Sequence, residues 1–247
     1  MLTSRLNLCR TARQSRGGFT LVELLVVIGI IAILAGVALG PITNGIKKAK
    51  QSAGLQTAHS IGLALYSFAN DNSQTYPDTG TPGVPSGNSA AGAMADVQPL
   101  LTGGYITDPS IFFISGGTAT KYTGTAASAA TSMTATNISW DFAGNGGAGL
   151  NSSNYQYLPI MWSTVATAGS GVEPTLSAAN TVGTAVNATP GAGNPFGTAG
   201  MAVFYINNSS QFITSSLQAG VPKVTLISAA NNTGGSPTTA VVLSGGG

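Results

Sequence analysis

The sequence predicts an α+β protein: a long N-terminal α-helix with a membrane-spanning first half, packed on a C-terminal antiparallel β-sheet with long Gly/Ser/Thr-rich loops. Three observations predict it. The chain is apolar from Phe19 to Gly40, and Leu24 to Leu39 holds no polar residue. Ala58, Ile61, Leu65 and Phe68 then recur at helical spacing, which makes one face of a helix that can dock on a sheet. Beyond residue 137, short apolar and aromatic runs alternate with clusters of Asn, Gly, Pro and Ser, the pattern of strands and turns.

Composition narrows the function classes. Only 6% of the 247 residues are charged, against roughly 25% in ordinary soluble domains. Gly, Ala, Ser, Thr and Asn dominate, so the surface is neutral and rich in hydroxyls. The net charge of +2 hides an asymmetry. Arg5, Arg10, Arg13 and Arg16 precede the apolar run, and Lys47, Lys48 and Lys50 follow it. After residue 50, Lys121 and Lys223 face Asp71, Asp78, Asp96, Asp108, Asp141 and Glu173, a balance of −4. No basic patch offers itself to nucleic acid. The one cysteine is Cys9. A chain without its first residues has no disulfide, thiolate nucleophile or Cys-type zinc site.

The 22 residues from Phe19 to Gly40 make about 33 Å of helix, the hydrocarbon thickness of a bilayer. The four arginines favour a cytoplasmic N-terminus, and the three lysines on the far side oppose it. Three readings of this segment compete. A conventional cleaved signal has a shorter apolar core, and its small-x-small site at Ala38 and Gly40 would place Pro41 after the cut. A plain signal anchor is the second. The third rests on Gly17-Gly18-Phe19-Thr20-Leu21-Val22-Glu23, which, with the basic leader before it and the apolar run after it, resembles the class III signal of type IV pilins and type II secretion pseudopilins.

That resemblance implies a prepilin peptidase that cuts between Gly18 and Phe19 and methylates the new amine of Phe19. Gly18 lets a peptidase approach the backbone closely, and Phe19 is an apolar first residue. Glu23 at the edge of the span is either solvated at headgroup level or partnered. Cleavage would create a protonated amine on Phe19, and Glu23 of one subunit can pair with the amine of a neighbour. In the family the equivalent glutamate has this assembly role. Such a pair sets register more reliably than it adds stability.

Pro41 is expected to kink the helix rather than end it. Helical sequence resumes at Ile42 and runs to about Asn70, with Leu63 and Tyr66 expected to broaden the apolar face. Gly45, Gly54 and Gly62 weaken the helix by up to ~1 kcal/mol each. His59, the only histidine, is expected on the helix surface, without the second ligand that a metal needs. Asn70-Asp71-Asn72 stops the helix and Pro77 forbids its return. The stretch from Gly62 to Asn72, with Tyr76-Pro77-Asp78 after it, resembles the end of the long helix in secretion pseudopilins. Residues 80–93 read as a loop. The stretch Val97 to Ser115 resembles a segment of large pilin-like proteins in which a short helix precedes Gly-Tyr, Asp-Pro and an aromatic strand. Those proteins often carry Cys-Pro at the strand's end, where this chain has Ile114-Ser115.

Residues 116–136 read as an exposed insertion. Strands are expected at 137–142 and 155–162, with a glycine-rich loop at 144–147, and none between 163 and 200. A hairpin follows, Met201–Ile206 and Gln211–Leu217 around Asn207 to Ser210. It resembles, in degenerate form, a C-terminal feature of planctomycete- and verrucomicrobia-type pilin-like proteins. Two more strands are expected at 223–229 and 238–244, with a loop at 231–235.

No Gly-x-Ser-x-Gly, phosphate loop or dinucleotide fingerprint is present. The head's acidic residues are expected to be solvated rather than paired for catalysis, and no enzyme activity is expected. No cofactor is expected and no metal site, although some major pseudopilins bind Ca²⁺ in a C-terminal loop. The resemblance therefore implies a pilin-like filament subunit. Residues 1–18 would be a removed leader, 19–40 the membrane and filament-core half of the helix, 41–72 its amphipathic half, and 73–247 the head. Expected partners are prepilin peptidase, copies of itself and other pilin-like subunits, an inner-membrane assembly platform and membrane lipids. The subunit would sit in the inner membrane with a periplasmic head, then in a periplasmic or surface fibre. Tyr76-Pro77 and the lack of a C-terminal disulfide favour a type II secretion pseudopilin. The alternatives are a surface pilin and a membrane-anchored binding domain or enzyme.

Overall fold

A computed structural model describes residues 18–77, 92–144, 150–151, 157–164, 186–191, 193–227 and 242–244. The chain divides into two compact units, Met1–Ile46 and Lys47–Gly247. Helix α1, Leu21–Asp71, begins in the first and ends in the second.

In the first unit α1 is apolar and uncovered. It is long and apolar enough to cross a membrane, and its most apolar window is 0% buried. The helix passes through Pro41 without ending. Proline has no N–H to give to the carbonyl four residues back, and just beyond it the Thr43 hydroxyl donates to the Gly40 carbonyl (2.9 Å).

In the second unit α1 buries Gly54, Ala58, Ile61, Gly62, Ala64, Leu65, Phe68 and Ala69. The expected stripe is therefore the packed face. Leu63 and Tyr66 do not broaden it: they are 42% and 43% exposed. At 100° per residue they point well away from Leu65. The helix stops where the sequence places the stop. Asn72 Nδ2 donates to the Phe68 carbonyl (2.8 Å), and Ser73 and Gln74 turn the chain with φ of 55° and 64°. The Tyr105 hydroxyl donates to Asp71 Oδ2 (2.8 Å), and its ring meets Phe68 edge-on at 5.6 Å.

Helix α2 spans Gly92–Thr102 and buries Val97, Leu100 and Leu101. Its first two residues fall in the expected 80–93 loop, the rest of which lies outside the described residues. The aromatic strand expected after Asp108-Pro109 is instead a 3₁₀ turn, Pro109–Phe112. Asp108 caps it by accepting from the Ser110 N–H (2.9 Å), and proline occupies its first position. Both residues start helical turns better than strands. The expected exposed insertion at 116–136 also holds structure. Helix α3, Ala126–Ser132, is capped by Thr125 and buries Ala129 and Ala130. Gln98 of α2 donates to the Ala130 carbonyl (3.0 Å). Alanine lets the two helices approach closely, so a tract without large side chains still packs.

Eight strands follow among the described residues: β1 Trp140–Gly144, β2 Pro159–Ser163, β3 Val186–Ala188, β4 Gly200–Tyr205, β5 Ser210–Thr214, β6 Ser216–Gln218, β7 Val221–Ile227 and β8 Val242–Ser244. Every pairing is antiparallel. One sheet has the order β5-β4-β2-β1-β8 and the other β3-β7-β6. The β4–β5 hairpin turns at Asn208, whose φ is 63°. The strand expected at 211–217 breaks at Ser215, which bonds back to Ala199 and Thr198, and the chain passes to the second sheet. There β6 and β7 form a hairpin through Ala219 and Gly220, both at positive φ (50° and 79°), as a two-residue turn requires. Strand β3 lies in the stretch expected to hold none. The expected loops at 144–147 and 231–235 lie, but for Gly144, outside the described residues.

Register separates the faces of the larger sheet. Phe142, Met161 and Phe204 are partners across β1, β2 and β4 and share one face. Phe204 meets α1 at Gly62. Trp162 and Val203 are partners on the other face, as is Tyr205, whose hydroxyl donates to the Leu226 carbonyl of β7 (2.9 Å). The larger sheet thus lies between α1 and the smaller sheet. That explains why β2 and β4 are buried along their whole length.

Candidate functional site

Chemistry concentrates at the start of α1. Gly18, Phe19 and Thr20 are not helical, and α1 begins at Leu21. Thr20 and Glu23 form a reciprocal cap. The Thr20 N–H and hydroxyl both donate to Glu23 Oε2 at 2.8 Å, and the Glu23 N–H donates to the Thr20 hydroxyl oxygen (3.3 Å). This is the Thr-x-x-Glu capping box, which satisfies N–H groups that the first helical turn cannot. A carboxylate in the first turn also meets the positive end of the helix dipole. Sequence reasoning gave Glu23 a partner in another subunit and missed its partner in its own chain. The spacing Thr20-Leu21-Val22-Glu23 was the available signal.

The cap fixes the helix start at Leu21 and leaves the Gly18–Phe19 peptide bond outside the helix. Nothing lies within 4 Å of a side chain built at Gly18, and Phe19 is 73% exposed. A backbone bond in that state can be drawn into a peptidase cleft without unwinding a turn. Glu23 uses Oε2 for both of the hydrogen bonds it accepts from Thr20, so Oε1 stays available to another donor.

His59 is exposed, with its ring 6.2 Å from that of Phe204. Among the described residues no three His, Cys, Asp or Glu side chains form a group able to hold a metal. The head's carboxylates are not uniformly solvated, contrary to expectation. Asp96 and Asp141 are 3% and 0% exposed. Asp108 is held below the usual carboxylate range by hydrogen bonds from the Ser110 N–H and hydroxyl. Asp78 and Glu173 lie outside the described residues. A second polar cluster is built into the core: Asn194, fully buried, donates to the carbonyls of Gly197 and Gly200 (both 2.7 Å) and accepts from the Ser163 hydroxyl (3.1 Å). Its role is to tie the 194–200 turn to β2.

Residues 13–39 match a family described as the prokaryotic N-terminal methylation motif. The match includes Gly18, Phe19, Thr20 and Glu23 and ends one residue before Gly40. No curated protein and no solved structure matches the chain significantly. A motif of this kind is what type IV pilin-like precursors carry at their N-terminus. The match covers the start of α1 and none of the head.

Proposed function

We propose that the protein is a filament subunit of the type II secretion pseudopilin kind, cut by prepilin peptidase between Gly18 and Phe19 and methylated on Phe19. Residues 1–18 are the leader, 19–40 form the membrane anchor and then the filament core, and 73–247 form a periplasmic head on the amphipathic helix of 41–72. The subunit waits in the inner membrane and is drawn by an assembly platform into a helical fibre. Glu23 of one subunit pairs with the Phe19 amine of its neighbour, and Pro41 gives the helix a bend between its two halves.

The observation that carries this reading is the coincidence of three features at one place. The methylation motif, the uncovered Gly18–Phe19 bond and the capped start of an apolar, unburied helix all fall within residues 13–39. Tyr76-Pro77 after the long helix, and the absence of cysteine after Cys9, favour a secretion fibre over a surface pilus. Intact-mass measurement of the membrane-extracted protein tests the reading. A chain starting at Phe19 with one added methyl is expected. An intact leader, or a start at Pro41, would show an anchor that merely carries a surface binding domain or enzyme.

A further inference from the structure

Lys47, Lys48 and Lys50 are left over by everything described above. They open the second unit, and all three are exposed. They lie seven to ten residues beyond Gly40, which is roughly 10–15 Å of helix past the apolar run. The headgroup layer is about 5–8 Å thick on each side of a ~30 Å hydrocarbon core, so the helix carries these residues just past it, and their long side chains reach back to the phosphates. At 100° per residue the three lysines spread over about 160° of the helix circumference. That arc is just under half of the circumference, wide enough to face more than one lipid headgroup.

Their helix gives them nothing to pair with. Between Glu23 and Asp71 the sequence has no acidic residue. Among the described residues no carboxylate bonds to or pairs with any of the three. Among the described carboxylates of the head, Asp96 and Asp141 are buried, while Asp71 and Asp108 are exposed and already accept hydrogen bonds from Tyr105 and Ser110.

We infer that Lys47, Lys48 and Lys50 form a collar that binds the phosphates of anionic phospholipids in the leaflet facing the head. The inference rests on the membrane-spanning reading of residues 19–40. Lysine suits such a collar, because its compact ammonium on a flexible stem reaches a headgroup phosphate while the stem lies along the lipid. Near an anionic surface each such lysine favours the bound state by roughly fivefold, an effect weakened by salt. The collar would oppose sinking of the head and hold the subunit at a fixed depth until it leaves the bilayer.

Spin-labelled lipids test this on the full chain in phosphatidylcholine vesicles with the head outward. The label is confined to the outer leaflet, so the arginines before the span do not contribute. A motionally restricted component is expected for both lipids, with several-fold preference for phosphatidylglycerol over phosphatidylcholine that declines with salt. Lys47→Gln/Lys48→Gln/Lys50→Gln should keep the restricted component and lose the preference, while Lys121→Gln/Lys223→Gln should keep both. A triple variant that retains the preference overturns the collar. So does a wild-type chain without preference, which would assign the lysines to carboxylates of a neighbouring subunit. A chain that restricts neither lipid overturns the membrane reading itself, and the collar with it.

Discussion

The tip of the Phe204 ring occupies the space where a side chain of residue 62 would begin. A Cβ built on Gly62 would overlap three atoms of that ring. Two turns earlier on the same face, Gly54 has the same relation to Phe196. Two of the glycines that weaken α1 as an isolated helix, Gly54 and Gly62, are thus points where the 194–200 turn and β4 come close to it, whereas Gly45 has nothing within 4 Å. For Gly54 and Gly62 the cost in helix propensity is offset by the packing of two phenyl rings.

Gly62→Ala should therefore destabilise the protein although alanine is the better helix former. Overpacking of a tight contact costs about 1–3 kcal/mol, more than the ~1 kcal/mol of propensity gained. Denaturant unfolding of the full chain in detergent measures the sign. Adding Phe204→Leu should recover part of the loss, because it removes the atoms that alanine strikes. A Gly62→Ala variant more stable than wild type would show that the contact relaxes freely.

Two buried phenols give the head an alkaline limit. Burial pushes Tyr76 and Tyr205 up from 10.0 to about 12; for Tyr76 the neighbouring Tyr66 adds to it. A raised folded value means that the neutral form is favoured in the fold. Stability from these groups is fully present below about pH 10 and is lost as pH rises toward 12. Melting temperature should stay level through neutral pH and fall across that window. Tyr205→Phe should flatten part of the fall. At neutral pH it should cost about 1 kcal/mol, since the Leu226 carbonyl loses its donor and the link between the sheets goes with it.

The turn after α1 depends on a more exposed pair. The Tyr105 phenol is raised by its hydrogen bond to Asp71, so its proton stays on the phenol while the carboxylate accepts. Tyr105→Phe keeps the edge-on contact with Phe68 and removes only that bond. Faster amide exchange at Asn72 and Thr75 is expected, with little change in global unfolding. Unchanged exchange would show that Asn72 alone holds the turn.

What the sequence revealed follows from how each element is stabilised. The face Ala58, Ile61, Leu65 and Phe68 was legible because it is buried on one side only, which leaves a helical period. Asn70-Asp71-Asn72 was legible because a stop is a local event. Strands β2 and β4 were harder: the larger sheet is covered on both faces, so their side chains are apolar throughout and lack alternation. Helix α3 was missed because alanine packs without the large side chains that mark a core. The turn at Asp108-Pro109 was missed because the resemblance to large pilin-like proteins implied an aromatic strand there, while the cap decided otherwise. Gly18, Phe19 and Glu23 were legible as a motif. The part played by Thr20 was not, since the motif drew attention to charge and away from the cap.

The Thr20–Glu23 cap also allows the two jobs of Glu23 to be separated. Glutamine serves a capping box about as well as glutamate, so Glu23→Gln keeps the helix start and removes the charge. Glu23→Ala removes both. If the proposed role of Glu23 is to pair with the Phe19 amine of a neighbour, both variants should be cut and methylated, and neither should enter filaments at the wild-type level. Alanine alone should also alter the first turn, seen as faster amide exchange at Thr20 and Glu23. Mass spectrometry reads processing, and a sheared-filament fraction reads assembly. Wild-type assembly by Glu23→Gln would remove the charge pair from the mechanism and leave Glu23 as a helix cap.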